Sequence, residues 1–234
     1  MPSDVTVVLA HGAWADGSSW GKVINGLWTA GIRAVAAPLP LTTLAEDVAA
    51  LDRTLERVGG PAVVVAHAYA GAVIGSARAA SVNALVYVAA LAPDEGETVL
   101  DVLTRAKPHP SAPALVPDAH GLLWLPDEAF AAAFAHEASP QEQDCLRAVQ
   151  RPIAPACITV PVGRPLWKDR PSWFLIAEQD RMIPAETQRF MAKRMGATVS
   201  THPVDHIPLV TAPQVVTDLL IEVVDIVTQR LPKQ

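Results

Sequence analysis

The chain has 234 residues, 50% of them apolar and 18% charged, where a soluble domain usually carries about one-quarter charged residues. This is enough apolar chain for one sizeable core, and it excludes intrinsic disorder. With 18 Lys and Arg against 24 Asp and Glu, the net charge of −6 leaves no basic face for phosphates, so nucleic acid is not the expected partner.

Short apolar runs alternate with segments of helical period, a pattern that predicts an α/β protein with a parallel sheet covered on both faces. Taken in chain order, strands are expected at 5–10, 33–37, 62–66, 85–89, 173–177 and 198–202. Helices are expected at 19–30, 43–58, 70–81, 185–195 and 213–230, with Gly31 and Gly196 placed to end the first and fourth. The run 58–77 holds 20 residues without Asp, Glu, Lys or Arg, which is spanning length. Its glycines and Pro61 divide it into strand, turn and helix, so no membrane span is expected. Met1-Pro2-Ser3-Asp4 leads into a strand with no charged n-region or apolar h-region, which reads as cytoplasmic. Cys145 and Cys157 are too few for a disulfide framework or a zinc site and read as free buried thiols.

Residues 93–171 break the rhythm, carrying 12 of the chain's 21 prolines together with Trp124, Phe130, Phe134 and Trp167. Leu125-Pro126-Asp127-Glu128 and Ser139-Pro140-Gln141-Glu142 each open a helix, with Pro and acidic residues in the first turn. The segment reads as a helical lid inserted after the fourth strand, with 1–92 and 172–234 forming the core of a single domain.

In Val63-Val64-Val65-Ala66-His67-Ala68-Tyr69-Ala70-Gly71-Ala72 a strand runs directly into a helix. A turn this sharp strains its central residue and needs small flanks, here Ala66 and Ala70. The pattern is that of a nucleophile elbow with Ala68 at its centre. Together with His11-Gly12-Ala13-Trp14, Asp16-Gly17-Ser18-Ser19-Trp20, the segment 89–97, the segment 176–184 and Asp205-His206-Ile207-Pro208-Leu209, this resembles the α/β-hydrolase superfamily. It resembles especially the small branch of plant methylesterases, hydroxynitrile lyases and their bacterial relatives. The resemblance covers nearly the whole chain in the order elbow, acid, histidine. It implies a fold of about six parallel strands, with Asp180 orienting His206 and the backbone N–H groups of Ala13 and Tyr69 forming an oxyanion hole. It implies no cofactor.

The family places Ser where Ala68 stands, and a methyl group cannot attack a carbonyl. Removing the nucleophile from a serine hydrolase costs about 10⁶ in turnover, while the oxyanion hole and binding retain about 10³–10⁴ over water. Three readings follow. One is an enzyme that uses His206 and Asp180 as a general base, with the backbone oxyanion hole, on a small apolar carbonyl or ester compound. Another is an esterase-type serine hydrolase inactivated by replacement of its Ser at position 68. The third is a non-catalytic protein that holds a small ligand. Hydroxynitrile lyases carry a Lys after the histidine where Ile207 stands, and epoxide hydrolases and dehalogenases need an Asp at the elbow. No G-x-G-x-x-G follows a strand, which disfavours a dehydrogenase.

His11 and Trp14, at the end of the first strand, and the aromatic residues Trp124, Phe130, Phe134 and Trp167 are the candidate substrate contacts. For His11 the alternative is bracing of the oxyanion loop, and His67 reads as structural. Asp94 and Glu178 are alternatives to Asp180 as the acid. His202 and His206 have metal-like spacing, but Pro203 between them argues against a metal site. His109, His120 and His136 read as solvated. Beyond a small-molecule substrate, the expected partner is a second copy, since this fold often forms dimers.

Overall fold

Six short runs dominated by Val, Ala and Leu pair side by side in a computed structural model that describes residues 4–231. The reading of Met1-Pro2-Ser3 falls outside those residues. The strands are β1 (Thr6–Ala10), β2 (Ala34–Ala37), β3 (Ala62–His67), β4 (Val82–Val88), β5 (Ser172–Ala177) and β6 (Thr198–His202). They lie in the order β2-β1-β3-β4-β5-β6, every neighbouring pair parallel. β1, β3 and β5 are buried along their whole length, which is why their sequences run continuously apolar rather than alternating. β6, at the edge, is largely exposed. β4 begins three residues before its expected start and ends at Val88, because Ala89 turns to φ +44° and takes the chain out of the sheet.

Around the sheet run α1 (Gly21–Thr29), α2 (Leu44–Val58), α3 (Ala70–Gly75), α4 (Val99–Leu103), α5 (Asp127–Ala129), α6 (Pro140–Val149), α7 (Ala185–Met195), α8 (Pro208–Thr211) and α9 (Pro213–Arg230). Thr43 caps α2 by accepting from the Glu46 N–H at 3.1 Å, and Gly59 ends the helix at φ +70°. α3 has six residues, half the expected length. The Asp52 carboxylate accepts from the N–H groups of Arg78 and Ala79, at 3.0 and 3.3 Å, and so replaces the helical acceptors there. The uncharged run 58–77 is thus the end of α2, then β3, the elbow and α3, and most of it is buried. No helix among the described residues is long and apolar enough to cross a membrane.

The segment between β4 and β5 is less helical than its sequence suggests. It holds α4, then α5 continuing into a π-turn at Phe130–Phe134, then α6 and two 3₁₀ turns at Pro155–Cys157 and Leu166–Lys168. Much of the remainder is irregular, stitched by single bridges from Leu123 to Pro117 and Ile153. Proline explains this, since each one removes an N–H and excludes a helix interior. Where the capping signals were complete they prevail: Ser139 and Glu142 form a reciprocal capping box, with Pro140 in the first turn of α6. Among the bonds that tie this segment to the core are those from Trp14 Nε1 to the Leu123 carbonyl and from the Ala154 N–H to the Leu41 carbonyl, at 3.0 and 2.9 Å.

The strand order reverses between β1 and β3, so the loops leaving their carboxyl ends diverge and open a crevice. Ligands of open α/β sheets bind at such a point. Residues 11–14, after β1, and the elbow, after β3, both lie here.

Candidate active site

His206, in the loop after β6, donates from Nδ1 to Asp180 Oδ2 at 2.9 Å. Asp180, after β5, accepts three further bonds: from the N–H groups of Met182 and Ile183 to Oδ1 at 2.7 and 2.8 Å, and from Gln188 Nε2 to Oδ2 at 2.9 Å. Both side chains are buried. A carboxylate with four donors is fixed in place, and its acceptor oxygen sets the histidine tautomer, leaving Nε2 with the lone pair. The alternative acids lie elsewhere: Asp94 pairs with Lys168 and Glu178 with Arg189.

Ala68 sits at φ +49°, a left-handed conformation that costs an alanine about 1–2 kcal/mol. Its carbonyl accepts from the N–H groups of Gly71 and Leu91, at 3.1 and 2.9 Å. Gly71 is required, because a Cβ there would lie 2.1 Å from the Leu91 carbonyl oxygen. The elbow is therefore fully formed around a methyl group. Ala13 and Tyr69 both line the adjoining cavity, and their amide N–H groups have no acceptor among the described residues. Two free donors of this kind beside an elbow are suited to a developing oxyanion.

The cavity has a volume of about 250 Å³. Ala68, Trp14 and His206 face it, with aliphatic walls from Leu103, Leu115 and Ile153. Its polar side chains are few and mostly engaged. Trp14 donates to Leu123, Thr104 to the Leu100 carbonyl and the Tyr69 phenol to Asp47, so His206 is the ionisable group left to act.

Most of the aromatic residues expected to contact substrate lie off this cavity. Trp124 is 42% exposed and donates to Asp118. Trp167 is buried at the far side of α3, near Gly75 and the Arg194 guanidinium. Phe134 packs on the His206 ring at 5.3 Å, and Phe130 packs on Phe134 at 5.4 Å, so these two form a wall behind the histidine. Phe134 is taken up by packing against Trp14, His67 and His206, and Phe130 by packing on Phe134, a result that spacing in sequence does not reveal. His11 also lies off this cavity. It is fully buried and bonds its own loop at the Gly12 carbonyl, 3.0 Å away, and burial holds its pKa down.

His67 lies beneath the elbow and donates from Nε2 to the His206 carbonyl at 2.8 Å; burial foremost, and His206 beside it, keep its pKa well below the ordinary value. The His136 side chain is buried rather than solvated. Of the two thiols, Cys157 is buried and pushed up to about 12 by that burial, whereas Cys145 is exposed. Sequence reasoning missed Asp47, Gln188 and the aliphatic walls. For Asp47 a signal existed: it falls three residues after Leu44 on the stripe Leu44, Val48, Leu51, Leu55, a lone carboxylate on an apolar face.

A parallel sheet with an elbow after the third strand, then an acid loop and a histidine loop, defines the class of α/β-hydrolase-fold proteins. The alpha/beta hydrolase family matches residues 7–219, and the chain belongs to it. Similar solved structures include a variant of tomato methylketone synthase I complexed with β-ketoheptanoate, with a TM-score of 0.82, 15% identity and coverage of 97% of this chain and 100% of that one. A pyrethroid hydrolase from Sphingobium faniae JZ-2 follows at 0.79 and 21%, covering 94% and 98%. Polyneuridine aldehyde esterase is similar at 0.78 and 15%, covering 94% and 99%. At these identities the likeness is one of fold. No curated protein matches the chain by sequence.

Proposed function

We propose that the protein is an acid–base enzyme for a small apolar carbonyl compound and forms no covalent intermediate with it. The observation that carries this reading is the geometry at the elbow. An oriented imidazole and two unbonded amides face one aliphatic cavity, while the position between them holds a methyl group. Nothing at Ala68 attacks a carbonyl, yet the means of stabilising negative charge on a carbonyl oxygen remain.

Loss of CO₂ from a β-keto acid suits this machinery, and the β-keto acid held by the methylketone synthase variant supports it as the substrate class. His206 Nε2 takes the carboxylic proton and the C–C bond to the carboxylate breaks. CO₂ leaves, and the electron pair passes into an enolate whose oxygen lies against the Ala13 and Tyr69 amides. His206 then returns the proton to carbon, giving a methyl ketone with all atoms balanced and no cofactor used. An aliphatic cavity assists, because a carboxylate stripped of water disperses its charge as CO₂ departs. On this reading the segment between β4 and β5 is a lid that excludes water from the cavity.

The test is incubation with straight-chain β-keto acids over a series of chain lengths, following CO₂ and methyl ketone. Turnover lost in His206→Ala is expected. A β-keto acid recovered unchanged, or turnover indifferent to His206→Ala, overturns the reading. A second reading, a serine esterase that has lost its serine, is favoured by the intact elbow at φ +49°. Ester hydrolysis by Ala68→Ser together with inertness of the unaltered chain toward β-keto acids would establish it instead.

A further inference from the structure

Asp47 lies fully buried on α2, and no Lys, Arg or His pairs with it among the described residues. Its Oδ2 accepts from the Tyr69 hydroxyl at 2.6 Å and has the Cys157 thiol 3.7 Å away. Its Oδ1 accepts from the Leu41 N–H at 2.7 Å, where Leu41 is held at φ +62°. Leu41 in turn accepts from the Ala154 N–H. One carboxylate therefore joins three separate segments: the elbow, the β2–α2 loop, and residues 154–157 of the insert. Ile153 and Ile158, on either side of those insert residues, line the cavity.

As a contributor to stability this arrangement is poor. An unpaired buried carboxylate costs free energy that a leucine of similar size on the α2 stripe would not. What the carboxylate does accomplish is geometric. The residue whose phenol it grips is the residue whose amide faces the cavity.

From this we infer that Asp47 is a positioning residue for the oxyanion site. Through the Tyr69 phenol it sets the direction of the Tyr69 amide. Through Leu41 and Cys157 it seats the insert walls over that amide. The inference rests on the proposed reading that the Ala13 and Tyr69 amides hold a developing oxyanion.

The experiment compares two probes of one shape in the whole protein: 4-nitrophenolate, which presents an enolate-like oxyanion, and nitrobenzene, which has none. The unaltered protein is expected to favour the phenolate by at least about tenfold and to shift its absorption band. Tyr69→Phe and Asp47→Leu are expected to reduce that preference about tenfold, the effect of one mispositioned charge-assisted bond, with the nitrobenzene Kd held within about twofold. Asp47→Asn can still accept from Leu41 through its oxygen and bond the phenol through its amide, so it keeps the preference within about threefold. Tyr69→Phe deletes a single oxygen and carries the test if Asp47→Leu does not fold. A preference that survives undiminished in Tyr69→Phe overturns this inference alone. Absence of any preference in the unaltered protein overturns the oxyanion reading and this inference with it.

Discussion

Asp180→Asn isolates the tautomer of His206 from the size and shape of its partner. In the native site Oδ1 accepts from two backbone N–H groups, so the asparagine carbonyl oxygen must take that place and its NH₂ must take the place of Oδ2. The NH₂ then confronts two donors, His206 Nδ1–H and Gln188 Nε2–H. Gln188 cannot rotate to relieve the conflict, because its own oxygen accepts from the Ala177 N–H at 3.0 Å and its other amide hydrogen bonds the Ile183 carbonyl. His206 can relieve its half by moving its proton to Nε2, which removes the lone pair from the cavity. A wrong tautomer of this kind costs about 10⁴ in the serine-protease triad, so we expect a loss of roughly 10³–10⁴ in kcat. The unrelieved Gln188 contact costs about 1–3 kcal/mol of stability. The assay pairs turnover with ¹⁵N shifts of the imidazole, which report the protonated nitrogen directly. Turnover within tenfold of the parent, with Nδ1 still protonated, would refute the reasoning.

Introducing a hydroxyl by Ala68→Ser uses the same Cβ and leaves the strained backbone unchanged; hydrolysis of 4-nitrophenyl butyrate should rise at least about 10³-fold, with covalent labelling by a fluorophosphonate. Failure to label would mean that His206 does not reach a nucleophile at the elbow. His11 and His67 have pKa values below that of the unfolded chain, so the unfolded state takes up their protons first. Stability from these two is complete above pH 6.5 and falls as pH drops below it, with a slope approaching about 2.7 kcal/mol per pH unit while both remain neutral in the fold. Urea midpoints from pH 7.5 to 5 measure this; His67→Gln should halve the slope, and a flat profile would contradict it. Gly71→Ala should cost at least about 3 kcal/mol or abolish soluble expression, whereas Gly21→Ala, where a new Cβ meets nothing within 4 Å, should leave thermal stability unchanged or raise it.

The sheet was legible because its strands are buried on both faces and their composition says so without any tertiary information. The acid and histidine loops were legible as well, since each carries a recognisable segment at a strand end, and the structure brings Asp180 and His206 to 2.9 Å. The insert was not. Its aromatic residues compete for several apolar environments, and only three-dimensional packing decides that Phe134 meets His206 while Trp124 faces solvent. The short length of α3 escapes the sequence for a related reason. The acceptor that ends it, Asp52, lies on another helix and far back in the sequence.

Among the described residues, four non-glycine residues adopt left-handed backbone conformations: Trp14, Leu41, Ala68 and Ala89. Each such conformation costs about 1–3 kcal/mol and persists only where its surroundings impose it. Without a serine, none of that strain serves to aim a nucleophile. All four nevertheless connect, directly or through one intervening contact, to the segments that carry the same pair of amides. Ala68 precedes Tyr69, and Trp14 follows Ala13. Leu41 donates to Asp47, which grips the Tyr69 phenol, and Ala89 opens the loop whose Leu91 N–H holds the Ala68 carbonyl. On the proposed reading the strain is therefore spent on keeping two N–H groups unbonded and facing an aliphatic cavity. That is a requirement of enolate chemistry as much as of acyl transfer. It gives a physical reason for such an elbow to form around a methyl group.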